Sequence, residues 1–148
     1  MWKKTYKTNS PAETKKLGQR LAKEILKTRA EQAVVLALKG DLGSGKTTFL
    51  QGFAKGLGIK EKITSPTFVI LKRFNDFYHF DCYRINEPEE ILELGFKKII
   101  ANPENIIAIE WPERIKEILP KNIIKIKFEF ISPVARKIKL LTDGFINV

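Results

Sequence analysis

The organisation of this chain is clearest at "GDLGSGKTT", residues Gly40 to Thr48. The stretch fits the pattern G-x-x-x-x-G-K-[ST] at every fixed position, including Lys46 and Thr47. Before it stands "AVVLAL", an apolar, β-branched run typical of a strand that is buried on both faces. After it stands "FLQGFAKGLG", whose apolar residues recur at helical spacing. The order of strand, glycine loop and helix is the context in which this pattern forms a phosphate-binding loop, or P-loop.

A loop of this kind binds phosphate oxygens with successive backbone N–H groups, while the following helix directs its positive dipole end at the anion. The flexible ammonium of Lys46 would bridge the β- and γ-phosphates, and the hydroxyl of Thr47 would bind a magnesium ion. A glycine-rich turn that only resembles a P-loop would need both flanks to arise by chance. We therefore predict that the nucleotide is bound by Asp41, Leu42, Gly43, Ser44, Gly45, Lys46, Thr47 and Thr48.

A P-loop needs a second magnesium ligand, usually an acid at the end of a neighbouring buried strand. The apolar run "NIIAIEW" supplies Glu110 in that position, so we predict Thr47 and Glu110 as the metal ligands. The alternative for Glu110 is an ordinary exposed glutamate at the start of the next helix. Trp111 could stack on the nucleotide or enclose it, or it could belong to the core.

The remaining segments predict an α/β fold with a single P-loop NTPase domain over residues 1–148 and a mixed, mostly buried sheet flanked by helices. "WKKTYKT" is typical of an edge strand, and Ser10 and Pro11 predict the start of a long helix. Asn75 and Asp76 separate two β-rich runs and indicate a hairpin. Short helices are expected at "PEEILELGF", with Gly95 as its end, and at "PERIKEIL". Two closing strands follow, the first with a buried face of Ile124, Ile126, Phe128 and Phe130.

Composition limits the classes of protein that this chain can belong to. With 148 residues, of which 43% are hydrophobic, it can form one ordinary domain with a core. No apolar run approaches the roughly 20 residues that a membrane-spanning helix needs, and the N-terminus lacks the features of a secretory signal. The single cysteine, Cys82, cannot form an internal disulfide and fits a reducing compartment. We therefore expect a cytoplasmic protein that makes no contact with a membrane.

The net charge of +10 would attract phosphates, nucleic acid or an acidic partner. A general bias of the source proteome toward lysine and isoleucine would explain the same composition. The aromatic residues do not alternate with arginines as a nucleic-acid stacking platform requires, so direct binding of RNA is a secondary hypothesis.

Five stretches resemble a known family when they are read together and in order: "GDLGSGKTT", "TSPTF", "HFDCYRI", "ELGF" and "IEWPE". Their combination is similar to the bacterial TsaE family, formerly called YjeE, from about residue 10 to about residue 140. The resemblance implies a small ATPase with ATP and Mg²⁺ as cofactors. It further implies a role in making threonylcarbamoyladenosine in tRNA, with the TsaB and TsaD proteins as partners and with tRNA reached through their complex.

The resemblance also implies which residues act in catalysis, namely Lys46, Thr67, Asp81 and Glu110. Thr67 follows a proline and could sense the γ-phosphate and magnesium, as switch loops do, or it could simply begin a strand. Asp81 could orient the attacking water or hold magnesium-bound water, or it could form a turn. The resemblance also implies that Glu110 and Trp111 correspond to an acid–tryptophan pair of the family.

Three residues near Asp81 have local interpretations of their own. His79 shares a strand face with Asp81 and could enter the same cleft, although a structural role is the alternative. Cys82 is expected to be buried as a small hydrophobic residue. Arg84 could contact phosphate or form a structural or partner-facing ion pair.

Several functions fit a P-loop, and the sequence separates some of them. The chain contains neither an N-K-x-D stretch for reading guanine nor a D-x-x-G segment, so we expect ATP and not GTP. A small-molecule kinase would need an acceptor pocket and an arginine-bearing lid, and the arginines of this chain are not clustered. A nucleotide-gated binding module with little hydrolysis of its own remains a further alternative to a slow, partner-stimulated ATPase.

Overall fold

The computed structural model describes residues 2–28, 31–64 and 69–144. Within them, seven strands form one sheet in the order β1-β7-β6-β2-β5-β4-β3. The strands are β1 (Trp2–Thr8), β2 (Val34–Lys39), β3 (Leu71–Phe74), β4 (Phe77–Asp81), β5 (Ile106–Glu110), β6 (Ile124–Phe130) and β7 (Arg136–Thr142).

The centre of the sheet is parallel and its margins are antiparallel. β2 pairs in parallel with β5 on one side and with β6 on the other, and β4 continues the parallel part beyond β5. β7, β1 and β3 pair in the antiparallel sense. The sheet is therefore mixed, as predicted, and the carboxyl ends of β2, β4 and β5 meet at one edge.

Helices cover both faces of the sheet, which confirms the predicted α/β class. The long helices α1 (Pro11–Lys27) and α2 (Lys46–Gly56) pack on the face that carries Leu36 and Leu38. The opposite face carries Val35 and packs against three short helices. These are α3 (Glu89–Leu92), α4 (Phe96–Ala101) and a 3₁₀ helix (Pro112–Ile118).

Two glycines let α1 and α2 approach each other closely. A Cβ atom added to Gly18 or to Gly52 would overlap backbone atoms of the other helix, at Phe49 and Lys15 respectively. The predicted start of α1 is also confirmed, because the hydroxyl of Ser10 accepts a 3.2 Å hydrogen bond from a first-turn backbone N–H. The helix that follows the glycine loop is thus fixed against a well-capped neighbour.

The structure differs from the sequence-based expectation in two elements. Gly95, predicted to end a helix, has φ = +87° and instead begins α4, which the prediction missed. Phe130, predicted to face the core, is the last residue of β6 and is 60% exposed, because the buried face of the strand ends at Phe128. The hairpin at Asn75 and Asp76 and the edge position of β1 are confirmed.

In the part of the chain that the structure describes, no helix is long and apolar enough to cross a membrane.

Candidate nucleotide-binding site

The predicted P-loop connects the carboxyl end of β2 to the amino end of α2. Gly43 and Gly45 have φ angles of +79° and +105°, a region that residues with a side chain rarely adopt. These two glycines turn the chain so that Lys46, Thr47 and Thr48 form the first turn of α2. The backbone N–H groups of a first helical turn lack intrahelical partners, so this turn could hold an anion.

Lys46 is buried at the centre of the loop, with 5% of its surface exposed. Its Nζ donates a 2.6 Å hydrogen bond to the carbonyl oxygen of Gly40 and lies 4.0 Å from Oε1 of Glu110. Burial lowers the pKa of the ammonium, and the carboxylates of Glu110 and Asp81 oppose that shift. The ammonium is therefore a desolvated cation with an acidic neighbour at the mouth of the loop.

Glu110 is buried and has two basic neighbours. Its Oε2 lies 2.7 Å from Nε2 of His79, and its Oε1 faces Lys46. The alternative of an exposed glutamate is wrong, since only 3% of Glu110 is exposed. His79 is buried with it, and its Nδ1 has no hydrogen-bond partner among the residues that the structure describes. The parallel pairing of β4 with β5 brings His79 and Glu110 to the same face, a contact that the sequence analysis did not foresee.

Asp81 lies beside Glu110, because the two residues are register partners in β4 and β5. Its carboxylate accepts a 3.0 Å hydrogen bond from the backbone N–H of Tyr83. Burial raises the pKa of Asp81, and the Tyr83 hydrogen bond partly offsets that rise. The structure therefore brings Asp81, Glu110 and Lys46 together, whereas Thr67 lies outside the described residues.

Trp111 follows β5 with φ = +57° and is partly buried. Its ring lies 4.3 Å from Nζ of Lys46 and 5.0 Å from the ring of Tyr83. Trp111 thus covers the lysine end of the P-loop. Of the other residues considered near Asp81, Cys82 is fully buried, as predicted, and burial raises the pKa of its thiol to about 12. Arg84 is exposed.

Arg136, at the start of β7, is a P-loop contact that sequence reasoning missed. Its Nη2 donates to the carbonyl oxygen of Gly43 at 3.1 Å, across 93 residues of sequence. Its Nη1 donates to the carbonyl oxygens of Ser132 and Ala135. A Cβ atom at Gly45 would lie 3.3 Å from the Arg136 side chain, so the glycine leaves room for the arginine. No local sequence pattern signals this contact.

The donor set suits magnesium bound together with a nucleotide. Mg²⁺ binds oxygen ligands and is usually held by one or two protein groups plus phosphates and waters. Thr47 offers a hydroxyl in the first turn of α2, and Glu110 offers a carboxylate at the adjacent strand end. The described residues contain no cluster of three or more His, Cys, Asp or Glu side chains that could hold a metal by themselves. Thr47 and Glu110 could therefore complete a site that phosphate oxygens begin.

Comparison with known proteins places the chain in a family. The family model "Threonylcarbamoyl adenosine biosynthesis protein TsaE" matches residues 8–138. Two proteins named tRNA threonylcarbamoyladenosine biosynthesis protein TsaE are similar to it. The Haemophilus influenzae protein is 35% identical over 86% of this chain and 82% of its own. The Bacillus subtilis protein is 36% identical over 94% of this chain and 85% of its own.

A solved structure agrees with this assignment. The crystal structure of Bacillus subtilis YdiB superposes with a TM-score of 0.76 at 33% sequence identity. The match covers 97% of this chain and 87% of the YdiB chain. The chain therefore belongs to the TsaE family of threonylcarbamoyl adenosine biosynthesis proteins.

Proposed function

We propose that this chain binds ATP with Mg²⁺, hydrolyses it slowly on its own, and works with the TsaB and TsaD proteins in threonylcarbamoyladenosine modification of tRNA. One observation carries the proposal. Lys46 of a full P-loop signature lies 4.0 Å from Glu110, a buried acid on the neighbouring parallel strand. Family membership supports the pathway, and contact with tRNA is through the TsaB–TsaD complex.

In this proposal the residues at the edge of the sheet have separate roles in ATP hydrolysis. Lys46 exchanges its hydrogen bond to the Gly40 carbonyl for the β- and γ-phosphates, and the first turn of α2 binds phosphate oxygens. Thr47 and Glu110 would hold Mg²⁺ through their side-chain oxygens, and the ion would neutralise phosphate charge when bound. Asp81 orients the attacking water, and Thr67 responds to the γ-phosphate.

Hydrolysis by the chain alone is slow in this proposal because, among the described residues, the arginine that contacts the P-loop is already bonded to backbone carbonyls. An arginine that stabilises the transferring phosphoryl group is worth about 10³ to 10⁵ in rate. The guanidinium of Arg136 touches the P-loop, but it is hydrogen-bonded to the carbonyl oxygens of Gly43, Ser132 and Ala135. The TsaB–TsaD complex is therefore proposed to stimulate turnover.

The test is ATP turnover by the purified chain, with and without TsaB, TsaD and tRNA. We expect slow release of inorganic phosphate alone and a clear rise when the partners are added. An ATP turnover rate that does not change when the partners are added would contradict the proposed stimulation by TsaB and TsaD. A requirement for an added small-molecule phosphate acceptor would instead favour a kinase.

The Lys46→Ala variant tests the site itself. We expect it to lose ATP turnover at least 100-fold, because the amine supplies charge to the phosphates. Lys55→Ala is the matched control, since Lys55 is an exposed lysine of the same helix. Full turnover by Lys46→Ala, or equal loss in both variants, would reject this site.

A further inference from the structure

A cavity of about 510 Å³ opens between the P-loop, the end of β6 and the residues that follow β5. Residues 40–42 and Ser44 of the loop line it, together with residues 127–130 of β6 and Trp111. Two of its lining residues are exposed and apolar: Leu42 at 72% and Phe130 at 60%. The cavity has the size that small ligands occupy, and Phe130 contributes an aromatic ring to its wall.

The order of the strands indicates which end of the proposed nucleotide lies on which side of the P-loop. Glu110 and Asp81 end β5 and β4, on one side of the P-loop strand, and Lys46 points toward Glu110. The γ-phosphate and Mg²⁺ belong on that side. β6 lies on the other side of β2 in the sheet. A nucleotide whose phosphates approach Glu110 therefore extends its sugar and base toward β6.

The Phe130 ring is held in place by Arg136. The two are register partners across β6 and β7, and the guanidinium carbon lies 4.9 Å from the ring centroid. The same guanidinium is hydrogen-bonded to three backbone carbonyl oxygens, including that of Gly43 in the P-loop. Arg136 thus links the ring to the loop, and an aromatic ring that is already restrained loses less conformational freedom when a base stacks on its exposed face.

The other aromatic residues that line the cavity are Phe128, which is buried and packs edge-on against Phe49 of α2, and Trp111. The ring of Trp111 covers Nζ of Lys46 at 4.3 Å, so it lies at the phosphate end of the site. It also packs against Tyr83, which follows β4 on the acidic side. Phe130 is therefore better placed than Trp111 to meet the base.

From this geometry we propose that Phe130 is the stacking platform for the nucleobase of the bound nucleotide, with Leu42 lining the same cavity and Arg136 positioning the ring. The inference rests on the proposed function, and it names the part of the chain that contacts the base. Aromatic stacking makes a contribution that an inorganic phosphate chain cannot receive, because such a chain has no base.

The test compares two ligands on three proteins by calorimetric titration in the presence of Mg²⁺. The ligands are a non-hydrolysable ATP analogue and inorganic tripolyphosphate. The proteins are the wild type, Phe130→Ala and the control Val134→Ala, which removes an exposed apolar side chain from the adjacent turn that does not line the cavity. We expect Phe130→Ala to raise the Kd of the ATP analogue on the order of tenfold and to leave that of tripolyphosphate unchanged.

Two further variants separate stacking from a structural effect. Phe130→Tyr should retain the affinity of wild type for the ATP analogue, because it preserves the aromatic face, and Phe130→Leu should lose affinity as Phe130→Ala does. Unchanged affinity for the ATP analogue in Phe130→Ala, equal weakening of tripolyphosphate, or the same loss in Val134→Ala would each overturn the inference. A wild-type chain that binds neither ligand would overturn the proposed function itself.

Discussion

At the scale of single residues, the site depends on a carboxylate that is buried between two basic groups. Glu110 has Oε2 at 2.7 Å from His79 and Oε1 at 4.0 Å from Lys46. An isolated buried carboxylate is costly, so these neighbours stabilise it in the position where Mg²⁺ would meet it. Asp81 has a more exposed environment and a hydrogen bond from its own turn. The two acids therefore have different roles in the proposed mechanism.

Substitution of Glu110 by Gln should weaken Mg²⁺-dependent ATP binding on the order of tenfold and should also reduce hydrolysis. The amide keeps the size of the side chain but removes the charged oxygen ligand. Titration of ATP at several Mg²⁺ concentrations measures the effect, and binding without Mg²⁺ is the internal control. Retention of wild-type Mg²⁺ dependence would argue against Glu110 as a ligand.

Asp81→Asn should leave ATP binding within about twofold of wild type and reduce turnover measured with TsaB and TsaD on the order of 100-fold. The expected cause is weaker orientation of the attacking water, because a neutral amide oxygen accepts a weaker hydrogen bond than a carboxylate does. Binding and turnover measured on the same preparation give the answer. If Asp81→Asn loses ATP binding while Glu110→Gln keeps it, the roles assigned to the two acids are reversed.

At the scale of elements, the helix that begins at the P-loop is positioned by its contact with α1. Gly18 and Gly52 bring the backbones of α1 and α2 together, because a side chain at either position would overlap the facing helix. Phe49 and Phe53 of α2 are fully buried beneath this contact. The direction of α2, and with it the direction of its first turn, follows from how closely the two helices pack.

Gly52→Ala should therefore lower the free energy of unfolding by about 2 kcal/mol. In an isolated helix, alanine in place of glycine would be stabilising by about 1 kcal/mol. A loss of stability would therefore show that the overlap with α1 outweighs helix propensity, and a gain would show the reverse. Urea denaturation followed by circular dichroism measures the change. Lys16→Ala, on the exposed side of α1, is the control and should change stability little. A stabilised Gly52→Ala would show that the helices can separate without cost.

The elements that sequence predicted well are those with a local signal. The P-loop motif, the apolar run of β2 and the capping residue Ser10 each lie within a few residues of the element that they define. Gly95 misled the prediction because a glycine with positive φ can follow one helix and begin another. α4 then starts without a side-chain cap, and so without a sequence signal.

The parts of the candidate site that sequence did not predict depend on sheet order. His79 meets Glu110 because β4 lies beside β5, and Arg136 meets Gly43 because of where β7 begins. Neither contact leaves a local pattern, since the partners are 31 and 93 residues apart. The exposure of Phe130 was missed for a related reason: alternation predicts which face a residue shares, not where along the strand the buried face ends.

At the scale of the whole molecule, the net charge of +10 bears on how the chain meets its proposed partners. A strongly positive protein associates faster with an acidic surface, and salt screens that attraction. The apparent affinity for the TsaB–TsaD complex should therefore fall several-fold between about 50 and 300 mM KCl. Fluorescence anisotropy with a labelled chain measures it, and an affinity that does not vary with salt would contradict an electrostatic contribution.

The pairing of β1 with β7 has a consequence for how the molecule is made. The register joins Trp2 to Thr142 and Thr8 to Arg136, so β1 is synthesised long before the strand with which it pairs. β2, the P-loop and α2 can pack against α1 before that, whereas contacts between distant parts of a chain form slowly. The addition of β7 to the sheet also brings Arg136 to Gly43. A nascent chain that ends before β7 consequently carries the phosphate-binding motif without the guanidinium that contacts it.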